Sequence, residues 1–186
     1  MTSIKFEREV KLPFESPALA RVAVLTAGGT PLRARRLQHD CLLDSSEKTL
    51  FKAQSLLRVR SEQGRAVLTF KGPVQQSAMK LREEIETNAA DPAVLLSILE
   101  RIGFRVWFRY EKYREEFSIG EAIVAVDETP VGAFVEVEGS ESAVTAAARA
   151  LGRGPEDYVT ESYRGLYLRH CEEHGVRVAD MLFDRG

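Results

Sequence analysis

Glu7, Glu9 and Lys11 stand two residues apart in the segment FEREVKL, and the same spacing of charged residues returns along the chain. Residues i and i+2 of a β-strand share a face, so each such run points its charges in one direction. Arg58 and Arg60 follow in LLRVR, Lys71 after Leu68 and Phe70, then Lys80, Arg82, Glu84 and Glu86, then Lys112 and Arg114, and finally Glu136 and Glu138. With Asp127 of VAVDE the set holds eight basic and seven acidic residues. One strand of this kind, taken alone, reads as the wet side of an open antiparallel sheet. The like-sign pairs argue for more: Glu7/Glu9, Arg58/Arg60, Lys112/Arg114 and Glu136/Glu138 repel along their own strand faces and call for a counter-ligand. Paired cations attract phosphate oxygens. Paired carboxylates, with no His or Cys among them, favour Mg²⁺ or Mn²⁺ over Zn²⁺. A sheet closed on itself with this face inward would enclose a polar tunnel suited to a polyphosphate held with metal ions.

The elements that must carry these residues follow from punctuation and periodicity. A first strand spans about residues 4 to 12, and Ser16-Pro17 opens a helix that stops at Gly28-Gly29. Residues 33 to 43 read as a strand, with a turn at Asp44-Ser45-Ser46. Residues 56 to 61 and 66 to 71 form a hairpin around Gln63-Gly64, and 79 to 88 is the next strand. Asp91-Pro92 opens a second helix, with Val94, Leu95, Ile98, Leu99 and Ile102 at helical spacing and Gly103 past its end. Strands over 105 to 118, 121 to 127 and 132 to 138 complete the set. Ser140 caps a helix running to Gly152, and Thr160 another running to about Gly175. In that last helix Ser162-Tyr163 begins an amphipathic stretch that packs against or closes the tunnel. The fold class is α+β: an eight-stranded, mainly antiparallel β-barrel tunnel with helices packed outside.

Composition narrows the rest. The 186 residues, 44% hydrophobic and 29% charged, suit a single domain over residues 1 to 186. A net charge of -2 argues against a nucleic-acid partner or a membrane surface, because the basic residues are balanced by acids. No stretch approaches a membrane span, no basic segment precedes an apolar run at the start, and the expected compartment is the cytoplasm. Cys41 and Cys171, far apart and outside any CxxC, are expected to be reduced, buried thiols. A homodimer is compatible with this chain.

Taken in order, these motifs resemble the CYTH family, named for CyaB-type adenylyl cyclases and thiamine triphosphatases and also called the triphosphate tunnel metalloenzymes. The residues that carry the likeness are Glu7-x-Glu9-x-Lys11, Leu57-Arg58-Val59-Arg60, Leu68-Thr69-Phe70-Lys71-Gly72-Pro73, Arg82-Glu83-Glu84-Ile85-Glu86, Lys112-Tyr113-Arg114, Asp127, and Gly132-x-Phe134-Val135-Glu136-Val137-Glu138. They extend over about residues 4 to 170. A lone ExExK is a weak signal, whereas the ordered series is specific.

The resemblance implies that Glu7, Glu9, Asp127, Glu136 and Glu138 form the metal site, holding Mg²⁺ or Mn²⁺. It implies that Lys11, Arg58, Arg60, Lys71, Arg82, Lys112 and Arg114 contact the phosphates, to which strand periodicity adds Lys80. Glu84 and Glu86 then orient the cations through ion pairs. Lys71, Glu136 and Glu138 are the residues expected to act in catalysis. The segment Gln38-His39-Asp40-Cys41-Leu42-Leu43-Asp44 looks like the family's second strand, with Leu42 and Leu43 where aromatic residues usually stand, a departure at the organic-group end. The implied activity is metal-dependent hydrolysis of a small-molecule triphosphate: tripolyphosphate, thiamine triphosphate or ATP. The alternatives are a CyaB-type cyclase making cyclic AMP and pyrophosphate, and a non-catalytic polyphosphate or nucleotide sensor.

Other motifs carry less. Neither GxxxxGK[ST] nor GxGxxG occurs. His170 and His174, four apart with Cys171 between them, read as partners of a helix C-terminus rather than of a metal. Trp107, with Phe104, Phe108 and Tyr110, reads as core and barrel exterior rather than a stacking platform.

Overall fold

In the computed structural model, which describes residues 5–75 and 78–184, eight strands close into one barrel. They are β1 (Lys5–Phe14), β2 (Thr30–Ser45), β3 (Leu56–Glu62), β4 (Arg65–Lys71), β5 (Lys80–Ala89), β6 (Phe104–Ile119), β7 (Ala122–Thr129) and β8 (Gly132–Glu138). The order around the wall is β1-β5-β4-β3-β2-β6-β7-β8, and every neighbouring pair is antiparallel. The expected barrel class is therefore the one formed. The helices are α1 (Pro17–Thr26), α2 (Thr49–Lys52), α3 (Pro92–Arg101), α4 (Glu141–Ala150) and α5 (Tyr163–His174).

Local chemistry explains most boundaries. Ser16, Asp91 and Ser140 cap α1, α3 and α4 through their side chains, as read from the sequence. The β3–β4 turn places Gln63 at φ 50 and Gly64 at φ 78, two successive left-handed residues that match the twist of a tight hairpin. The last helix starts two residues later than a Thr160 cap implies, because Ser162 is the cap: its hydroxyl accepts the Gly165 N–H. Val159 exchanges two backbone hydrogen bonds of 2.9 Å with Lys11, where β1 has passed the end of β5. Met181 likewise occupies the backbone of Arg109 and Glu111, beyond the reach of β7. Helix α2 was absent from the sequence reading. Asp44 makes it: its carboxylate accepts from the N–H groups of Ser45, Leu50 and Phe51 at 2.7, 3.0 and 2.9 Å.

Two apolar layers cover the outside. Val10 and Leu12 of β1 meet Val135 and Val137 of β8 and Val124 of β7 beneath Ala20, Val24, Val144 and Ala148 of α1 and α4. Each of these side chains is fully buried and contributes on the order of 1–3 kcal/mol. On the opposite side, Leu99 of α3 packs on Leu43, Val59 and Ala66, while Val94, Ile98 and Ile102 of that helix remain more than half exposed. Helix α5 is placed differently from the others. Tyr163, Leu166, Tyr167 and Cys171 pack on Leu42, Phe108, Tyr110 and Phe134. These strand residues alternate in phase with Asp40, Lys112 and Glu136, so they face inward and α5 stoppers one end of the barrel. Cys171 is buried, Cys41 is half-buried, and both are free thiols. Among the described residues no helix is long and apolar enough to cross a membrane.

Asp44→Ala leaves two α2 N–H groups without their acceptor and should lower stability by about 1–2 kcal/mol, read from urea unfolding at pH 7. An unchanged midpoint would show that α2 does not depend on this carboxylate.

Candidate active site in the barrel interior

The barrel encloses a cavity of about 1520 Å³, and the alternating charged residues face into it. Among the sequence-predicted site residues, Glu7, Glu9, Lys11, Arg58, Arg60, Lys71, Lys80, Arg82, Lys112, Arg114, Glu136 and Glu138 all line this space. Asp127 does not: it lies behind Lys112 and Arg114, with no exposed surface.

The wall formed by β1, β8 and β5 alternates acid and cation. Register sets Glu9 opposite Glu138, and Lys11 opposite Glu136. The Lys11 ammonium lies 3.0 Å from Glu9 and 3.0 Å from Glu136, and Lys80 adds a second bridge to Glu9. Lys71 of β4 joins Glu7 to Glu84, at 3.1 Å from the latter. Burial and a hydrogen bond with Glu7 push the Glu84 carboxyl up to about 8, so near neutrality it is largely the protonated donor. For Glu7, burial and its neighbour Glu9 oppose ionisation, but Lys71 and the Glu84 donor win and hold it low. Burial brings Lys80 down to about 8 against the attraction of Glu9, helped by the nearby Lys11 and Lys71 charges.

The facing wall is organised by two buried acids. Asp127 accepts from Lys112 Nζ at 2.9 Å, Arg114 Nε at 2.7 Å and Tyr163 Oη at 2.6 Å. Burial disfavours its charge, yet Arg114 and Lys112 outweigh that and hold the carboxyl well below the usual range. Accepting bonds on both oxygens, Asp127 anchors two of the cavity cations. Tyr163 stays neutral through burial and its bond to Asp127, and its ring lies 5.1 Å from the Lys11 ammonium and 4.8 Å from that of Lys112. Asp40 plays the matching part on β2, accepting from Arg60 Nε at 2.9 Å and lying 3.4 Å from Arg58 Nε. Arg58 also donates to Thr69 and lies 3.4 Å from Glu86. Arg82 is held by main-chain oxygens of Gly72 and Gln54, at 2.6 and 3.1 Å. It therefore ties β5 to the segment after α2.

Several of these partners escaped the sequence reading. Asp40 shares a strand face with Gln38 and Leu42, so alternation along β2 could have found it. Tyr163 is on a helix after a long excursion, and nothing local announces that its hydroxyl reaches β7. A further network at the other mouth joins Arg36 to Glu62 at 2.7 Å and to Glu116 at 2.8 Å, with Gln38 donating to Glu62. Trp107 is 42% exposed, in keeping with an exterior position, and stands at a β-bulge where it also lines the cavity. His170 and His174 stack on each other at 4.1 Å, as a helix-end pair.

The carboxylates fit a divalent cation by donor type, being hard oxygens without His or Cys. Among the described residues no three of them are gathered into a ready cluster, because lysines separate them. The pairing of Glu9 directly opposite Glu138 nonetheless places like charges face to face, an arrangement that a shared cation relieves.

Glu84 takes up its proton in the folded state well above the ordinary carboxyl range, so its contribution to stability is complete at acid pH and is lost as pH rises towards 8. In metal-free protein, Glu84→Gln should flatten the decline of unfolding free energy between about pH 5 and 8. Denaturant titrations at several pH values check this, and an equal slope in both proteins would rule out the protonated Glu84.

Comparisons with known proteins agree with this architecture. A model described as CYTH domain matches residues 5–163. A protein of Methanocaldococcus jannaschii named "Putative adenylate cyclase" is 26% identical over 149 residues, covering 80% of this chain and 83% of its own length. A solved structure from Vibrio parahaemolyticus, also described as a putative adenylate cyclase, superposes with a TM-score of 0.74 at 22% identity, covering 89% of this chain and 99% of that one. A Hippeastrum protein described as a putative adenylyl cyclase with a dominant triphosphatase activity reaches a TM-score of 0.64 at 19% identity, over 93% of this chain and 97% of that one. At these identities the two structures speak to the fold, and the family model spans most of the chain: this protein belongs to the CYTH family.

Proposed function

We propose that this chain is a divalent-metal-dependent triphosphatase acting on inorganic tripolyphosphate or a simple organic triphosphate. The observation that carries the reading is one enclosed cavity in which eight cationic side chains from five strands face carboxylates of β1 and β8. Phosphoryl transfer asks little covalent chemistry of a protein; it needs the phosphate chain fixed, its charge neutralised and a nucleophile in line. Lys11, Arg58, Arg60, Lys71, Lys80, Arg82, Lys112 and Arg114 bind and align the phosphates, exchanging their present carboxylate partners for phosphate oxygens. Asp127 and Asp40 keep Lys112, Arg114, Arg58 and Arg60 pointed inward during that exchange. Glu7, Glu9, Glu136 and Glu138 would hold Mg²⁺ or Mn²⁺, which supplies charge neutralisation and activation of water. A water oxygen then bonds to the terminal phosphorus, the bridging P–O bond breaks with its electron pair going to the leaving diphosphate, and the water's proton passes to solvent. Lys71, the shared partner of Glu7 and Glu84, neutralises charge on the transferred group.

The names of the relatives favour one second reading, adenylyl cyclisation. In it the ribose 3′-hydroxyl attacks the α-phosphorus and pyrophosphate leaves. The same cations serve both reactions; the position of the phosphate chain relative to the acids separates them.

Product analysis after incubation with tripolyphosphate, ATP and thiamine triphosphate, in separate Mg²⁺ and Mn²⁺ reactions, tests the assignment. Orthophosphate without cyclic AMP is the expected result; cyclic AMP with pyrophosphate would establish the cyclase, and binding without turnover a sensor. Glu136→Gln with Glu138→Gln should lower metal-dependent turnover by about 100-fold or more while the circular dichroism spectrum is kept. Full activity in that double variant would remove these acids from the mechanism.

A further inference from the structure

Gln38 sits within the charged interior and is itself uncharged. It lies between Arg36 and Asp40 on the inward face of β2, lines the cavity, and is 2% exposed. Register places it directly opposite Lys112 of β6, whose ammonium lies 2.9 Å from Asp127 and 3.6 Å from Glu136. Paired residues of neighbouring strands stand side by side on one face. The amide therefore adjoins the place where a cavity cation meets a carboxylate assigned to the metal.

The orientation of that amide is fixed. Its Nε2 donates to Glu62 at 2.6 Å, and Glu62 also accepts from Arg36 at 2.7 Å. Burial opposes ionisation of Glu62, but the bonds from Gln38 and Arg36 prevail and hold it below the usual carboxyl range. An ionised carboxylate can only accept, so the amide nitrogen must face it and the amide oxygen must face away. Among the described residues, Gln38 Oε1 is the one buried side-chain oxygen without a hydrogen-bond partner. The donors around it are directed elsewhere: Lys112 and Arg114 to Asp127, Arg60 to Asp40, Arg36 to Glu62. A buried acceptor left open is costly and calls for a donor.

Chemistry narrows what that donor is. Phosphate oxygens near neutrality accept hydrogen bonds and have no proton to offer. A divalent cation at Oε1 would stand among Lys112, Arg114, Arg36 and Arg60, whose charges repel it. A water molecule meets both conditions, giving one hydrogen to the amide and keeping an oxygen lone pair for phosphorus. A neutral amide holds that water without repelling the phosphate, as a carboxylate in its place would. It orients the water rather than deprotonating it, a part that glutamine can play in phosphoryl transfer.

We infer that Gln38 orients the attacking water in triphosphate hydrolysis, with Glu62 as the positioning residue that fixes its amide. One water hydrogen is held by Gln38 Oε1 while the water oxygen bonds to the terminal phosphorus. The bridging P–O bond breaks with its electron pair going to the diphosphate, and a proton of the water passes to solvent. This inference rests on the triphosphatase reading and adds the residue that serves its nucleophile.

Gln38→Met keeps the length of the side chain and removes the amide oxygen. In Mg²⁺ buffer with tripolyphosphate, kcat should fall by about 10- to 100-fold while KM stays within about three-fold. Calorimetric affinity for diimidotriphosphate, a non-hydrolysable analogue, should stay within the same limit. Gln38→Asn keeps the amide but draws its oxygen back by one bond length; it should lower kcat in the same way, and it serves if the Met variant does not fold. If the folded variants keep the kcat of the unsubstituted protein, Gln38 does not position the nucleophile and the triphosphatase reading stands. If kcat and analogue affinity fall together, the residue is structural and the inference is again overturned. If the unsubstituted protein releases no orthophosphate, the function and the inference fall together.

Discussion

Everything in this molecule depends on keeping more than a dozen ionisable side chains inside a closed sheet. Withdrawing one ion from water costs several kcal/mol even after relaxation, and only close opposite charge with full hydrogen bonding offsets it. The barrel meets this condition by pairing most of its cations with acids on the same or a neighbouring strand: Lys11 with Glu9 and Glu136, Lys112 and Arg114 with Asp127, Arg60 with Asp40, while Arg82 is held by main-chain oxygens. The resting interior is a mosaic in which each charge is the counter-ion of its neighbour. On the proposed function, a phosphate chain entering the cavity would replace the carboxylates as partner, and the displaced carboxylates would then attract divalent cations. The stability of the metal-free state and the affinity for substrate would be two uses of the same charges.

That scheme requires a wall without gaps, since an open edge would admit water and screen the pairs. The strands alone leave two short edges, on β1 at Lys11 and on β6 at Arg109 to Glu111. Extended pieces around Val159 and Met181 seal them. Both pieces flank α5, so the helix that stoppers the barrel is held by the same segments that complete its wall. The Tyr163 hydroxyl ties this stopper to Asp127 and so to Lys112 and Arg114. A displacement of α5 would loosen the anchor of two cavity-lining cations.

Much of the interior was legible because a strand repeats every two residues and like charges rarely repeat on a solvated face. Runs such as Glu7-Glu9-Lys11 and Lys112-Arg114 needed only that rule, and the ordered motifs supplied the family. What stayed hidden needs three dimensions. Asp127 was grouped with the metal acids through the family resemblance, and its depth behind two cations is not encoded in strand alternation. Tyr163 acts across 36 residues of sequence. Helix α2 has only four residues, too few to show periodicity, and exists through the reach of one carboxylate. Trp107 was assigned by its aromatic neighbours, whereas it stands at a one-residue bulge of the β2–β6 ladder and lines the cavity, which alternation along the strand does not foresee.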